Sequence, residues 1–515
     1  MAYDNIPKEK FAFANRGEKI SDKKLETKPV GYFKDAFIRF RKNKSSLVAA
    51  IIIIVLMLYA FIVPIVSDYD VAFRDGYYKT LLPKCDALAW TGWDGCGVQN
   101  ESQAGYDYYS SIGYEYGDSA VKEVRDVYTE ETTGKTYYKL YVDSYEKVGF
   151  IYADLSKEEY KALQAYQNET GIQVIYPMPE NYKTSFVSVS SSANLWYELA
   201  DENATSTGAS AHHDENGNPI YVPNYKLSEN PETAGYDSLR IEGDDGTAGE
   251  NGNEWYVYAV KNQSGYKVRV LYSEYFQYKN GFEPHFLFGT NQHGQDIFVC
   301  LATGARLSFI LALSVSFINF IIGISYGAIE GYYGGAVDLI MERISDILAS
   351  VPTTVVHVLF QLQLAQKVGP IVSLLFAFIL TGWIGIASRV RTQFYRFKNS
   401  EYVLAARTLG ASDKRLIFRH ILPNSLGTII TGTILIIPSV IFSESMLSYL
   451  GIVNLESSSM TSVGTMLSNG QAYLSTFPHI ILFPAVFISL LEISFNLFGN
   501  GLRDAFNPSL RGADE

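Results

Sequence analysis

Residues Leu47 to Val66 read LVAAIIIIVLMLYAFIVPIV, twenty positions without one charged side chain. A helix of that length rises ~30 Å, the thickness of the hydrocarbon layer of a bilayer. A helix also satisfies its own backbone hydrogen bonds there, as no open strand can. Similar runs follow at Ser308–Ala328, Ile347–Leu364, Ile371–Ile386, Ile429–Phe442 and Ile480–Phe498. A soluble core has no need of six such stretches. The pattern predicts an α-helical integral membrane protein with six transmembrane helices. Over the 515 residues the hydropathy averages out, because one long polar block offsets the runs. The first run is preceded by a basic region, and Pro64 to Asp68 offers no small-residue cleavage site, so it reads as an uncleaved helix rather than a secretion signal.

Orientation follows from Lys and Arg. Lys34, Arg39, Arg41, Lys42 and Lys44 lie just before the first run. Arg389, Arg391, Arg396, Lys398, Arg407, Lys414, Arg415 and Arg419 lie after the fourth. Both groups are expected in the cytoplasm, with both termini. The resulting plan is a basic segment 1–46, a first span 47–67, an extracellular block 68–285, a core 286–510 with a cytoplasmic loop 391–424, and a tail 511–515.

The block 68–285 holds about 35 acidic against about 17 basic side chains, more than the whole net charge of −12. Such acidity speaks against nucleic acid and anionic surfaces as partners. Tyrosines and Trp90, Trp93, Trp196 and Trp255 supply enough aromatic surface for a folded core. Val121–Tyr128 and Tyr137–Tyr145 read as strands around a turn. Ser156 and Glu159 have capping-box spacing for a helix to Tyr166, Gly171–Tyr176 reads as a strand, and Asn253–Val260 with Tyr266–Phe276 as a hairpin. Residues 201–218 read as a loop. The expected unit is an inserted extracellular α+β domain. Cys85 and Cys96 both fall in it, where disulfides persist, and are a candidate bridge, with two unpaired thiols as the alternative.

Within 391–424, Glu401 to Gly410 reads EYVLAARTLG. It is helix-prone up to its glycine. Ser412 and Asp413 then offer a cap for a second short helix, which Pro423 is expected to stop. Small Ala405 and Ala406 permit close approach of another helix, and Gly410 permits a backbone reversal. The result is a protrusion suited to a cleft on another protein.

This elbow resembles the coupling loop of ABC-importer permeases: two alanines, three residues, a glycine, then Leu-Pro. Here these are Ala405, Ala406, Gly410, Leu422 and Pro423, with Glu401 and Arg407 alongside. His420 gives the Arg-His-Ile-Leu-Pro-Asn form of the peptide-transport branch. Phe286 to Asp296 is similar to the segment before the second helix of oligopeptide and dipeptide permeases, where the family usually has Asp at Asn291 and Arg at Gln295. Gly304 to Arg306, Gly331 to Gly335, Glu444 to Gly451 and Phe495 to Asp504 look like further landmarks, and Phe37 to Lys44 resembles the second, C-type permease. The resemblance covers about 30–70 and 285–510, while the block between is far larger than the family's usual loop.

The resemblance implies a type I ABC-importer permease fold and a transport subunit for oligopeptides, not an enzyme. Its partners would be a second, homologous permease, two cytoplasmic ATPases, a lipid-anchored peptide-binding protein and membrane lipids. It implies no cofactor on this chain; ATP and Mg would sit on the ATPases. Nickel chelates or signalling peptides are alternative cargoes. A proton-coupled secondary transporter would instead show several intramembrane carboxylates and an inverted repeat. Glu492 is the one acid read as deep in a helix, and with His357 it is a possible pathway-lining residue. Gly134 to Thr136 reads as a hairpin turn rather than a phosphate loop, because Thr129 replaces the first glycine. His212 to Glu215 lacks distant partners for a metal, and no metal site is expected.

Overall fold

The computed structural model describes residues 32–132, 134–180, 193–194, 212–221, 225–457 and 460–506. Most of the expected loop 201–218 lies outside these, as do Trp196 and the tail 511–515.

Helix α1 (Tyr32–Lys42) turns at Asn43, whose side chain accepts from the Ser46 N–H and caps α2 (Lys44–Val66). Along α2 only a narrow stripe, including Ser46, Ala49, Ile53 and Ala60, is buried, while Ile51, Ile54, Val55 and Leu58 are each more than half exposed. A continuous apolar surface of this kind is covered by lipid rather than water.

The block between the first and second spans, here called the insertion, is built of short strands. A three-stranded antiparallel sheet has the order β1 (Cys96–Ser102), β3 (Thr136–Asp143), β2 (Val121–Thr129). Helix α3 (Gln103–Ser111) packs on it. A second sheet has β4 (Phe150–Ser156), β9 (Gly265–Leu271) and β5 (Ile175–Tyr176) in that order, with β8 (Ala259–Lys261) also on β9. β6 (Leu227–Ser228) and β7 (Trp255–Tyr256) pair separately, beside a single turn α5 (Pro231–Ala234). Helix α4 (Lys157–Thr170) starts at the expected capping box, with Ser156 and Glu159 satisfying each other's backbone N–H.

The last expected strand ends early. It stops at Leu271, and Tyr272–Asn280 is a helix, α6. The reason was present in the spacing: Tyr272, Tyr275 and Phe276 recur at i, i+3 and i+4, one helical face, which is buried in a cluster with Tyr69, Tyr78 and Phe286. Gly281 ends the helix at φ +82°.

The disulfide expected between Cys85 and Cys96 is absent; both are free thiols. The register explains it. Lys84 pairs antiparallel with Asp94, so Cys85 lies opposite Trp93, to which it donates at 2.8 Å, and Cys96 falls near Leu82. Three residues of offset separate the two α-carbons by ~10 Å along the strand, beyond the ~7 Å that a bridge can span. Burial, Asp143 and Asp94 also push the Cys96 thiol up to about 12, away from its reactive thiolate. Unfolding the oxidised preparation in an alkylating reagent without reductant is therefore expected to label both cysteines; a surviving Cys85–Cys96 peptide pair in the mass spectrum would overturn this register.

One carboxyl of the insertion should set a pH dependence. Glu146 is pushed up to about 7, first by burial and then by Asp143 and Asp118, with Tyr116 donating to it at 3.3 Å. A raised carboxyl pKa favours the folded state at low pH. That contribution is complete below ~4.5 and is lost as pH rises through 7. Its size is on the order of 2–3 kcal/mol. Thermal melts should show the wild type losing stability from pH 5 to pH 8, and Glu146→Gln should flatten much of that slope. An unchanged slope in E146Q would assign it to other groups.

The insertion is fused to the bundle. Thr290 Oγ1 donates to the Tyr78 carbonyl at 2.7 Å and accepts from the Leu81 N–H at 2.9 Å. Trp93 stands edge-on to Phe288 and Phe483, which stack on each other at 4.0 Å.

Helix α7 (Ile297–Tyr333) leads away from the insertion, capped by the Asp296 side chain. Then come α8 (Gly335–Ala349) and α9 (Thr353–Val368), followed by one long span, Pro370–Phe397, made of α10 (Pro370–Gly382) and α11 (Ile384–Phe397). Six runs were expected to be six spans. Among the described residues five helices are long and apolar enough to cross a membrane, and a sixth arises only if α8 and α9, bent by 72°, form one broken span. Pro352 sits at this break, lacking the N–H that a continuing helix needs. The fourth span also runs on through Arg389, Arg391 and Arg396, which were expected in a loop. Gly323, Gly327 and Gly331 let α11 approach α7 closely: a Cβ on Gly327 would stand 2.2 Å from the Ala387 carbonyl.

Candidate functional site

The elbow lies at the end of α7 remote from the insertion. That helix, 37 residues long, spans ~55 Å. At its far end Tyr332 donates to Asp413 Oδ1 at 2.6 Å, and the Arg407 guanidinium lies 5.9 Å from the Tyr332 ring.

The elbow helix α12 (Glu401–Thr408) ends in a complete Schellman motif. The Ala411 N–H donates to the Ala406 carbonyl at 3.1 Å and the Gly410 N–H to the Arg407 carbonyl at 3.0 Å. Gly410 has φ +83°, the left-handed conformation that the reversal requires. Val403 is the one buried residue of α12 and packs in a cluster with Tyr332, Val390, Phe394, Leu416 and Ile417, with Ala406 against its edge. The other side of α12 is open: Glu401, Tyr402, Leu404, Ala405 and Arg407 are exposed, Ala406 half-buried, and Leu409 88 % exposed. A short helix buried at a single side chain, with Tyr402, Leu404, Ala405 and Leu409 exposed, is an unfinished contact.

Beyond the elbow the chain departs from expectation. Pro423 does not stop a helix. Residues Asp413–Tyr449 form one helical span, in which Leu416–Ile421 has π-helical bonding before α13 (Leu422–Thr433) and α14 (Ile436–Tyr449). The wider turn accommodates Pro423 where a regular helix would need its N–H. Leu422 and Pro423 therefore open the next span.

Arg391 was read only as one positive charge among many. It forms two bonds to Asp338, at 2.5 and 2.8 Å, and two to Glu342, both at 2.8 Å, with Glu330 at 3.6 Å. Tyr395 adds a bond to Asp338 at 2.7 Å. The amphipathic helix α8 is thus clamped to α11 beside the elbow.

The two possible pathway residues are not brought together. His357, on α9, is buried with its ring 4.4 Å from Phe378 of α10. Glu492 lies half-buried on α15 (His479–Phe506), with Oε1 lacking a hydrogen-bond partner among the described residues. Nor is Glu492 the one acid inside a helix. Glu444 of α14 is fully buried, accepting from Ser308 at 2.6 Å and Ser448 at 3.1 Å. The sequence marks it only as the first residue of the Glu444–Gly451 landmark, because it lies just past an apolar run. Outside the spans, Asn291 Nδ2 donates to Gln295 Oε1 at 3.0 Å, so a neutral amide pair stands where the resemblance led one to expect an acid and a base.

Fold and elbow define a multispanning membrane permease. The model of the binding-protein-dependent transport system inner membrane component matches residues 319–512, and that of the N-terminal TM domain of oligopeptide transport permease C matches 31–83. The Bacillus subtilis oligopeptide transport system permease protein OppC is 42 % identical over 224 residues, 44 % of this chain and 72 % of that protein. The dipeptide permease DppC of the same organism is 40 % identical over 225 residues, 44 % and 69 % of the two chains. Escherichia coli OppC is 36 % identical over 225 residues, 44 % and 72 %. An inward-facing MetNI methionine ABC transporter structure aligns with TM-score 0.31 and 15 % identity, over 39 % of this chain and 96 % of that one. The chain belongs to the oligopeptide and dipeptide ABC-transporter permease family, in its C-type branch.

Proposed function

We propose that this chain is one of two homologous permeases of a bacterial ATP-driven importer of oligopeptides, with the elbow outside the hydrocarbon on the cytoplasmic side and the insertion on the extracellular side. The observation that carries this reading is α12: a Schellman-closed helix, anchored at Val403 and presenting Tyr402, Leu404, Ala405 and Leu409 outward. An ATPase cleft would take up this face. Closure of an ATPase pair would push α12, and the Tyr332–Asp413 bond and the Arg391 clamp would pass the displacement to α7, α8 and α11, shifting the balance between inward- and outward-open states. ATP and Mg would be held by the ATPases. Lipid would cover the exposed apolar faces, and a lipid-anchored binding protein would deliver peptide.

The insertion supports the delivery step. Trp90 is 84 % exposed beside partly exposed Leu88, an aromatic anchor of the kind found at protein interfaces. The acidity of the block favours a basic partner surface and salt-sensitive association.

The test is reconstitution of this chain with the second permease, the two ATPases and the binding protein in vesicles. ATP-dependent accumulation of a labelled oligopeptide is expected; an assembled, ATP-hydrolysing complex that accumulates none would overturn the cargo assignment.

A further inference from the structure

The insertion contains a groove of about 860 Å³ between α4, the segment Pro231–Arg240 and the β8–β9 hairpin. That volume is within the range of small-ligand sites. Its lining is not that of a random surface cleft.

The first feature is an aromatic lining. Tyr160 is only 5 % exposed and packs 4.6 Å from Tyr266. Tyr236, on the other wall, stacks on Tyr258 at 4.0 Å. The Tyr160 hydroxyl is buried with no hydrogen-bond partner among the described residues. A buried hydroxyl in that condition is costly to the fold unless something completes it.

The second feature is charge arrangement. Lys157 and Lys161, one turn apart on α4, share a face, and Lys261 of β8 joins them at the groove. All three are exposed and make no ion pair among the described residues. They stand together in a block that is otherwise strongly acidic. The segment Pro231–Arg240 contributes Glu232 and Asp237, the latter accepting from Gln164 Nε2 of α4 at 2.5 Å. Glu158 also borders the α4 side, and Arg240 is already bound to Asp244 at 2.5 Å. The groove therefore collects three lysines unpaired among the described residues, two acids of the Pro231–Arg240 segment and a set of tyrosines.

We propose that this groove binds short peptides with both termini free: the carboxylate against Lys157, Lys161 and Lys261, the ammonium against Glu232 and Asp237, and the side chains against Tyr160, Tyr236 and Tyr266. The choice of a peptide over another zwitterion rests on the peptide-importer reading. Charge-assisted contacts at the two ends would fix polarity, and aromatic faces would accept varied side chains. The permease would then hold cargo on its own chain, independently of a separate binding protein.

The experiment uses the full chain in lipid nanodiscs, without partners, and a fluorescent tetrapeptide containing one tyrosine. Three forms are compared: free termini, C-terminal amide, and N-acetyl. The free form is expected to bind, and each blocked form to bind about tenfold more weakly. Lys157→Ala with Lys161→Ala should weaken the free form by a similar factor and leave the amide unchanged. Asp237→Asn should do the same for the free and acetylated forms. Tyr160→Phe, which removes one oxygen and keeps the packing, should weaken binding about threefold.

Absence of saturable binding, or equal binding of all three forms, would overturn the groove assignment. So would a paired lysine variant that loses association with the binding protein while peptide binding is nil, since the groove would then be a docking surface. Peptide uptake by the full assembly is measured in parallel. Normal uptake with no binding by the lone chain refutes the groove and leaves the importer reading intact. An assembly that transports no peptide refutes that reading, whatever the groove binds.

Discussion

An Ala405→Trp permease is expected to insert, fold and assemble with the second permease, yet to import peptide at about one hundredth of the wild-type rate or less. The side chain at 405 is exposed, so the larger residue can point away from its own subunit. The fold has no reason to fail. The outer face of α12 is the surface proposed to enter an ATPase cleft, and an indole there would hold the two proteins apart. Gly410→Pro reaches the same outcome by another route. Proline cannot adopt φ +83°, and it removes the N–H that donates to the Arg407 carbonyl. The elbow would open at a cost of roughly 3 kcal/mol. Gly410→Ala keeps the N–H and meets open space, so its cost is only about 1 kcal/mol of backbone strain and transport should be partly retained. The measurement is uptake in vesicles together with pull-down of the ATPases. Full uptake by a correctly inserted A405W permease would remove α12 from the mechanism.

Arg269→Met should destabilise the insertion by about 3–5 kcal/mol. Arg269 is fully buried on β9. It binds Glu115 through two bonds, at 3.0 and 2.7 Å, and donates to the carbonyls of Ala193 at 2.8 Å and Pro177 at 3.1 Å. Its guanidinium also lies 3.7 Å from the centre of the Phe150 ring. Methionine fills much of the volume but leaves the buried Glu115 carboxylate without its cation. Adding Glu115→Gln should recover a large part of the loss, because the uncompensated charge is the main cost. Proteolysis of the insertion in intact vesicles, with and without the second substitution, reads this directly. A single variant as resistant as the wild type would show that the ion pair contributes little.

Apolar runs made the membrane helices legible, because an uncharged twenty-residue stretch has few other physical outcomes. The ends of those helices were not legible. Arg389 and Arg396 on α11, and Glu444 on α14, continue helices past the ends of the apolar runs, and composition alone does not mark where regular structure stops. Gly410 could be read because a backbone reversal after a helix needs a residue that tolerates positive φ. The capping box at Ser156 could be read for the same local reason. The α6 helix was local as well, but β-prone tyrosines masked its i, i+3, i+4 spacing.

What tertiary structure decided is everything that depends on which distant segments meet. Arg391 becomes a clamp only when Glu330, Asp338 and Glu342, some fifty residues away, fold against it. Cys85 and Cys96 shared a compartment, but strand register, invisible in their spacing, set them apart. The groove collects residues from 157–164, 231–240 and 261–266. The sequence by itself determined a membrane permease with a reversing elbow, since hydrophobic length and backbone dihedral preference act over neighbouring residues. Ion pairs, thiol pairing and binding grooves depend on distances of a few ångströms between remote side chains, and these are set only when the chain has packed.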